Sequence, residues 1–291
     1  IQLGTQTAAF CIGGATAPGP YVSTTNTYNG SSFTGSTAIN TARSNGIGSG
    51  STTAAVIAGG STPSATGATE LWNGSSWTEV NDLNTARDLL AGSGSSSTNS
   101  LAFGGLSTAV TSTESWNGTV WTEVNDLGTG RRELGGSTNG SNTSALAFGG
   151  CTSPGAVQTA TEEWSFPPST STTLQEGLMW FNSTSSTLKG YGVAGGLPAA
   201  TWASSGSLNT ARSETASFGI QTAALNIGGD TGGSTYVANT EQYNGSAWSE
   251  VNDLNEARAM MGGAGTTTAG IVATGYDSTL LASTETWNGS S

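Results

Sequence analysis

Residues 69–87 read TELWNGSSWTEVNDLNTAR, and this stretch returns along the chain with few changes. It recurs as TESWNGTVWTEVNDLGTGR at 113–131 and as TEQYNGSAWSEVNDLNEAR at 240–258. A weaker copy, TNTYNGSSFTGSTAINTAR, occupies 25–43, and residues 284–291 repeat the first eight positions as TETWNGSS. Self-similarity at a fixed period is the signature of a repeat architecture, so a single cyclic array is predicted.

The register of the repeat is set by two recurring marks. The aromatic residue before Asn-Gly returns at intervals of 44 positions, at Tyr28, Trp72 and Trp116. Each unit also contains a short apolar run that ends in a glycine pair. The runs are AAFCIGG at 8–14, AAVIAGG at 54–60, LAFGG at 101–105, ALAFGG at 145–150, AALNIGG at 223–229 and a variant, GIVATGY, at 270–276.

Within one unit the local signals all indicate strands and turns. The apolar run is typical of a buried strand, and TELW alternates as a half-buried strand does. Asn73-Gly74 predicts a hairpin, after which WTEV begins the returning strand. With the Gly-rich stretch that follows NDLNTAR, a unit of ~45 residues contains four strands, as a propeller blade does. The chain is therefore predicted to be all-β, a single propeller over 1–291 that starts in mid-pattern and is expected to belong to a longer chain.

This pattern resembles the kelch repeat. The family shows an apolar strand ending in Gly-Gly, an aromatic residue about a dozen positions later, a Trp soon after, and an Arg opening the next blade. Here those marks are Gly59-Gly60, Trp72, Trp77 and Arg87. The resemblance covers nearly the whole chain and implies a propeller fold, but it implies no single function because propellers host many unrelated roles.

One segment interrupts the repeat. Residues 176–212 read EGLMWFNSTSSTLKGYGVAGGLPAATWASSGSLNTAR, and the flanking glycines Gly149 and Gly228 are 79 positions apart. A divergent blade in this segment would give seven blades, whereas an inserted hairpin would give six. Because GLMWFN, TLKGYG and ATWASSG all have the character of strands, seven blades are favoured.

The same segment carries a second resemblance. GLMWFNSTSSTLKGYG, followed by Trp202, is similar to a short G-x-x-W-[YF]-N…L-K-x-Y…W element of bacteriophage tail and fibre proteins. Near-identical WNGSSWTEVNDLNTAR arrays likewise resemble virion proteins of marine phages. The resemblance implies a non-enzymatic virion component, a tail-fibre or appendage domain that serves host attachment or particle architecture. Its partners would be other virion proteins or a host-surface glycan, and a homo-oligomer is a further option.

Composition argues against several classes of function. The chain has 19 acidic residues against 7 basic ones, a net charge of −12, so it lacks the basic stripe that a nucleic-acid binder needs. It has no apolar run of ~20 residues, so no membrane insertion is predicted. It contains no histidine, which excludes Ser-His-Asp and Cys-His catalytic sites and most zinc and copper sites.

Which residue each recurring acid faces across the hairpin depends on the geometry of the Asn-Gly turn. If Asn-Gly-Ser-Ser forms a four-residue loop, Trp72 faces Trp77 and Glu70 faces Glu79, and an arginine such as Arg87 is needed nearby. A two-residue turn would instead place Trp77 opposite Glu70. A carboxylate pair could serve glycoside hydrolysis, but a catalytic pair occurs once, whereas this one recurs. We therefore predict no catalytic residues, and keep a carbohydrate-active propeller enzyme and a cellular kelch interaction scaffold as alternatives.

The other recurring polar residues are also predicted to be structural. The arginines are expected to clamp carboxylates or backbone carbonyls between blades. Asp82, in an NDL triplet that offers oxygen ligands for calcium, is interpreted as an acceptor for nearby backbone amides, so neither metal nor cofactor is predicted. Cys11 and Cys151 are predicted to be unpaired small core residues. The recurring arginines are Arg43, Arg87, Arg131, Arg212 and Arg258.

The loops after the glycine pairs vary from unit to unit and are the predicted ligand site. By strand alternation they share one face with the NDLNTAR segments. Tyr21 and Tyr236 stand at the same offset after their glycine pairs, Tyr276 lies close to that position in its own unit, and Asp230 and Asp277 are nearby. Aromatic rings and carboxylates of this kind can stack on sugar rings and accept their hydroxyl protons, although ordinary loop packing would also account for them.

Overall fold

The chain forms a closed ring of six blades. The structure is a computed structural model that describes residues 1–16, 20–165, 178–182, 187–191 and 201–290. Over those ranges it contains strands and their connections but no helix, and so no helix long and apolar enough to cross a membrane. The all-β propeller predicted from the repeat is confirmed.

Each blade is an antiparallel meander, and the first strand of each blade lies next to the axis. Blades 1 to 3 contain β1 (Gln2–Thr5), β2 (Ala8–Ala15), β3 (Tyr21–Tyr28) and β4 (Phe33–Ser36); β5 (Ile47–Gly50), β6 (Ala55–Ala58), β7 (Thr69–Trp72) and β8 (Trp77–Val80); and β9 (Ala91–Ser96), β10 (Asn99–Phe103), β11 (Thr113–Trp116) and β12 (Trp121–Glu123).

The second half of the ring is less regular. Blade 4 is built from four strands that are not consecutive, and the described residues of blade 6 form three strands. The strands are β13 (Gly135–Gly136), β14 (Ser144–Phe148), β15 (Thr161–Ser165) and β18 (Thr201–Ser205) in blade 4, with a separate hairpin of β16 (Leu178–Asn182) and β17 (Thr187–Tyr191); β19 (Ala216–Ile220), β20 (Ala223–Ile227), β21 (Thr240–Tyr243) and β22 (Trp248–Glu250) in blade 5; and β23 (Gly262–Thr266), β24 (Ala269–Tyr276) and β25 (Leu280–Trp287) in blade 6.

The innermost strands close the ring. β1, β5, β9, β13, β19 and β23 pack in that order around the axis, and β23 packs against β1. Blades 5, 6 and 1 are therefore neighbours.

The number of blades is six, and the preference for seven was wrong. β18 is the outermost strand of blade 4, where it pairs with β15 in the register Trp164 opposite Trp202. The hairpin β16–β17 forms a two-stranded sheet of its own and completes no blade. The interrupting segment therefore supplies a fourth strand and an inserted hairpin, because the Trp that closes blade 4 comes after the insertion rather than before it.

The four-residue version of the Asn-Gly turn is confirmed. Trp72 pairs with Trp77 and Glu70 with Glu79, and the two indole rings lie 5.3 Å apart. The Asn73 side-chain oxygen accepts hydrogen bonds at 2.9 Å from the amides two and three residues ahead, which closes the loop.

The two tryptophans of a unit have different roles. The third-strand Trp116 donates from Nε1 to the Ser97 carbonyl, in the hairpin between the first two strands of its own blade, at 2.9 Å. The fourth-strand Trp121 donates to Thr69 Oγ1 of the preceding blade at 3.1 Å. The same bond joins Trp202 to Thr113 and Trp248 to Thr161. Fourth-strand tryptophans thus join each of these blades to the preceding one.

An arginine clamp holds each described linker to the blade that it enters. Arg87 donates from Nη2 to Glu114 Oε1 at 2.9 Å and from Nη1 to the carbonyls of Ser112 and Gly104. The Asn84 amide donates to the other Glu114 oxygen at 2.7 Å. Burial lowers the pKa of Arg87, while Glu114 opposes that change. The predicted clamp is confirmed, and equivalent pairs are Arg43–Glu70, Arg131–Glu162, Arg212–Glu241 and Arg258–Glu285.

The two faces of the ring are chemically distinct. The linker face carries the loops between second and third strands and the linkers between blades, which meet where the Gly60 amide donates to the Arg87 carbonyl at 2.8 Å. The turn face carries the Asn-Gly turns and the hairpins between first and second strands. The insertion in blade 4 replaces an Asn-Gly turn and therefore leaves from the turn face.

Candidate ligand-binding face

A series of backbone hydrogen bonds runs around the axis on the linker face. Five residues with left-handed backbone conformation, each two positions after a clamp arginine, form it; we call them the mouth ring. The amides of the last four donate to the carbonyl of their counterpart in the preceding blade, at distances between 2.8 and 3.2 Å. The mouth ring consists of Asn45, Leu89, Glu133, Glu214 and Met260.

Two neighbouring members of the mouth ring are acids. Glu133 lies in blade 4, where Arg132 Nη1 is 3.5 Å from its carboxylate and the Cys151 thiol donates to it at 3.2 Å. Glu214 occupies the same position in blade 5. Burial, together with the charges of Glu133 and Asp230, raises the pKa of Glu214 to about 7, while Arg132 acts in the opposite direction. Near neutral pH this carboxyl can therefore either donate or accept a hydrogen bond.

The Cys151 thiol is held in its protonated form. Cys151 is buried, and no disulfide joins it to Cys11, as predicted. Burial and the hydrogen bond to Glu133 raise the pKa of Cys151 to about 11. The residue therefore acts as a neutral hydrogen-bond donor to Glu133 and not as a nucleophilic thiolate.

The structure brings two of the predicted tyrosines together. Tyr236 in blade 5 and Tyr276 in blade 6 have ring centroids 5.7 Å apart and ring planes at 88°, an edge-to-face contact. Both rings are half-buried. Tyr236 forms an antiparallel bridge with Asp230, which connects the aromatic pair to the acids of the mouth ring.

The two predicted aspartates shape their own loops. Asp230 accepts hydrogen bonds from the amides of Gly232 at 2.8 Å and Thr235 at 2.9 Å. Asp277 accepts from the Thr279 amide and hydroxyl, and these bonds lower the pKa of Asp277. Each carboxylate has lone pairs beyond those used, so both remain available to a ligand as acceptors.

Tyr21 lies at another part of the same face. It begins β3 in blade 1, and its hydroxyl lies 3.0 Å from Ser61 Oγ of blade 2. Blade 2 is on the side of blade 1 that faces away from blade 6. Tyr21 therefore helps to join blades 1 and 2, at a distance from the Tyr236–Tyr276 pair.

The recurring NDL aspartates act as backbone acceptors. Asp82 Oδ1 accepts from the Thr69 amide at 3.1 Å, and Asp126 and Asp253 make the same bond in blades 3 and 5. The interpretation of Asp82 as an amide acceptor is confirmed. Across the part of the chain that the structure describes, no three His, Cys, Asp or Glu side chains are arranged to hold a metal ion.

Sequence reasoning missed the acids at the axis. Glu133 and Glu214 lie in the linkers between blades, outside the variable loops after the glycine pairs in which the site was predicted. The available signal was the second position after each clamp arginine, which changes from Asn to Leu, Glu, Glu and Met while its surroundings repeat. Their proximity depends on the order of blades around the ring, which only the folded structure shows.

Comparison with solved structures agrees with the architecture. A structure described as "Structure of YjhT" aligns with a TM-score of 0.67 over 97% of this chain and 93% of that one, at 9% sequence identity. The chain is a six-bladed β-propeller. No protein-family model and no curated protein sequence matches it. At this identity the likeness to YjhT shows the fold alone.

Proposed function

We propose that this propeller is a non-enzymatic recognition module, an adhesion or architectural domain of a bacteriophage tail fibre or virion appendage. Its ligand would be a host-surface glycan or another virion protein, bound on the linker face of blades 4 to 6. One observation carries the proposal: side chains that do not repeat between blades converge there. Glu133 and Glu214 adjoin the Asp230 loop, which leads to the Tyr236–Tyr276 pair.

The recurring polar residues have structural roles, which supports a binding role for the residues that vary. The five arginines and their glutamate partners are engaged in clamps, and the NDL aspartates bond backbone amides. These residues maintain the ring and leave recognition to the groups that vary. The resemblance of the repeats to marine-phage virion proteins supports the biological setting. A surface with few charges also suits salty water, where long-range electrostatic interactions are screened.

The chemistry of the varying residues suits a polyhydroxylated ligand. Tyr236 and Tyr276 combine apolar ring surface with hydroxyl groups, which matches the mixed apolar and polar faces of a sugar. Asp230 and Asp277 are acceptors, and Glu214 can act as donor or acceptor near neutral pH because its pKa is raised to about 7. Convergent polar groups beside aromatic side chains are typical of small-ligand sites.

A carbohydrate-active enzyme is the second candidate, favoured by the carboxyl pair Glu133 and Glu214. Glycoside hydrolysis requires two carboxyl groups, one of which donates a proton, and the raised pKa of Glu214 suits the donor. Against this, Glu133 is already engaged by Arg132 and Cys151, which leaves it poorly placed as a nucleophile.

Glycan-array binding followed by titration calorimetry tests the proposal. Residues 1–291 are expected to bind a defined subset of glycans. Tyr236→Ala and Tyr276→Ala should each weaken that binding by about tenfold, or 1.4 kcal/mol. Phe33→Ala removes an exposed aromatic ring from the outer strand of blade 1 and is the matched control, which should bind normally.

Three outcomes distinguish the candidates. If no glycan binds and the tyrosine variants are indistinguishable from the parent protein, the linker face is not a glycan site. If a bound glycan is cleaved, and Glu214→Gln stops cleavage while retaining binding, the protein is a carbohydrate-active enzyme and the non-enzymatic proposal is wrong. Antibody labelling of purified phage particles tests the virion assignment separately, and absence of the protein from particles would contradict it.

A further inference from the structure

The second strand of blade 5 contains a buried polar side chain whose amide group has no partner among the described residues. Asn226 is 0% exposed, and neither its Oδ1 nor its Nδ2 forms a hydrogen bond within the part of the chain that the structure describes. Burying an amide group without hydrogen bonds is unfavourable, and such groups are rare in folded proteins. Asn226 therefore indicates a bound partner that is not part of the polypeptide.

The repeat itself does not require a polar residue at this position. In the sheet of blade 5, Asn226 lies opposite the clamp residue Glu241 on one side and opposite Ser217 of the innermost strand on the other. The counterparts of Asn226 and Ser217 are Ile57 and Gly48 in blade 2, Ala102 and Gly92 in blade 3, Ala147 and Gly136 in blade 4, and Val272 and Gly263 in blade 6. Blade 5 thus has two polar side chains where these four blades have none.

Both polar side chains face blade 4. The Ser217 hydroxyl donates to the Gly136 carbonyl at 3.2 Å and accepts from the Gly136 amide at 3.1 Å. Ala224 lies two positions before Asn226, on the same side of β20, and packs in one cluster with Phe148 of blade 4. The Asn226 amide group is therefore enclosed at the interface of blades 4 and 5, separate from the candidate ligand-binding face.

The arginine clamp of blade 5 is altered beside Asn226. Arg212 donates to Glu241 and to the Asn239 carbonyl, both at 2.8 Å, and its third bond reaches the Asn226 carbonyl at 3.5 Å. In blades 3 and 4 the equivalent third bond goes to the carbonyl of the first glycine of the pair. The guanidinium, the Glu241 carboxylate and the Ser217 hydroxyl make the surroundings of Asn226 polar. A buried water molecule needs such surroundings, because it requires about two to four polar partners.

We propose that Asn226 holds an internal water molecule between blades 4 and 5. The water accepts a hydrogen bond from Nδ2 and donates one to Oδ1, which satisfies both buried atoms. An anion would leave Oδ1 unpaired and a metal ion would leave Nδ2 unpaired, whereas water can both accept and donate. A buried water of this kind is part of the folded structure and is costly to remove.

Crystallography and relaxation measurements on residues 1–291 test this site. A high-resolution crystal structure should show a water molecule within about 3.2 Å of both Oδ1 and Nδ2 of Asn226. Oxygen-17 relaxation dispersion counts long-lived internal waters in solution, and the count should be lower by about one in Asn226→Val than in the parent protein. This variant introduces the residue of blade 6. Asn81→Ala removes an exposed amide group of blade 2 and is the matched control, which should leave the count unchanged.

Each alternative result contradicts the proposal in a recognisable way. Hydrogen bonds from the Asn226 amide group to protein atoms alone would show that no water is needed. Electron density for an ion or an organic molecule beside Asn226 would assign the site to another ligand. An equal count of internal waters in the parent protein and in Asn226→Val would show that Asn226 holds no long-lived water. The crystal structure of the parent protein gives a result even if Asn226→Val fails to fold.

Discussion

Trp164 and Trp202 face each other across the outer strands of blade 4, with ring centroids 5.5 Å apart, although residues 165–201 separate them in the chain. Trp202 also donates to Thr113 of blade 3, as the fourth-strand tryptophans of blades 3 and 5 donate to their preceding blades. Blade 4 therefore has all four strands, and the insertion lies between its third and fourth strands in the chain. Ser165 and Thr201, which flank the insertion, pair with each other at the turn face, opposite the candidate ligand site.

Removing the insertion should leave the ring intact. We expect that replacing residues 165–201 by Asn-Gly-Ser-Ser, the loop between Trp72 and Trp77, changes the melting temperature by no more than a few degrees. The reason is that the Trp164–Trp202 pair and the bond to Thr113 are retained. Thermal unfolding followed by circular dichroism measures this, and loss of folded protein would show that the insertion is needed for blade 4. Trp202→Ala in the shortened chain should destabilise it by about 3–5 kcal/mol.

Breaking one arginine clamp should be costly. Glu114→Ala leaves the buried Arg87 guanidinium without its counter-charge, which typically destabilises a protein by about 3–5 kcal/mol. Urea unfolding measures the loss as a lower midpoint. Glu123→Ala removes the exposed acid that pairs with Glu114 across the hairpin and should change stability by less than about 0.5 kcal/mol. Similar losses for both variants would contradict the role assigned to the clamp.

Glu214 should make stability depend on pH. Its pKa rises from 4.5 to about 7 on folding, so the folded chain holds this proton more tightly than the unfolded chain does. The stability that this proton adds to the folded chain is fully present below pH 4.5 and is lost as the pH rises towards 7. Glu133 and Asp230 strengthen the effect, and Arg132 weakens it. Because Glu214 is partly exposed, its titration should change the free energy of unfolding by less than about 1 kcal/mol.

Glu214→Gln tests this dependence. The melting temperature of the variant relative to the parent should increase between about pH 5 and about pH 8, since only the parent loses a proton there. Glu79→Gln changes an exposed acid of blade 2 and should show no such trend. A constant difference between Glu214→Gln and the parent across this range would mean that Glu214 titrates normally.

Cys151 should resist alkylation in the folded protein. It is 3% exposed, and with a pKa of about 11 almost none of it is thiolate at neutral pH. Iodoacetamide treatment followed by peptide mass spectrometry should find Cys151 unmodified in native protein and fully modified in denaturant. Rapid modification under native conditions would show that the thiol is accessible and ionised, contrary to its place beside Glu133.

Much of the blade could be predicted because its determinants are close together in the chain. The Asn73 side chain closes its own turn, and the turn length fixes the register that places Trp72 opposite Trp77. The clamp was also predictable in kind, since recurring acids in a low-charge sequence need recurring cations. Its particular partners were not, because the arginine of one linker pairs with the glutamate of the following blade.

The sequence by itself determined the all-β propeller, the turn register and the structural role of the recurring acids, because these depend on local turn chemistry and a fixed period. Tertiary structure alone decided the number of blades, because Trp202 completes blade 4 only by pairing across the insertion. It also decided the composition of the candidate site. Glu133 and Glu214 become neighbours because consecutive linkers meet around the axis, and Tyr236 meets Tyr276 because blades 5 and 6 are adjacent.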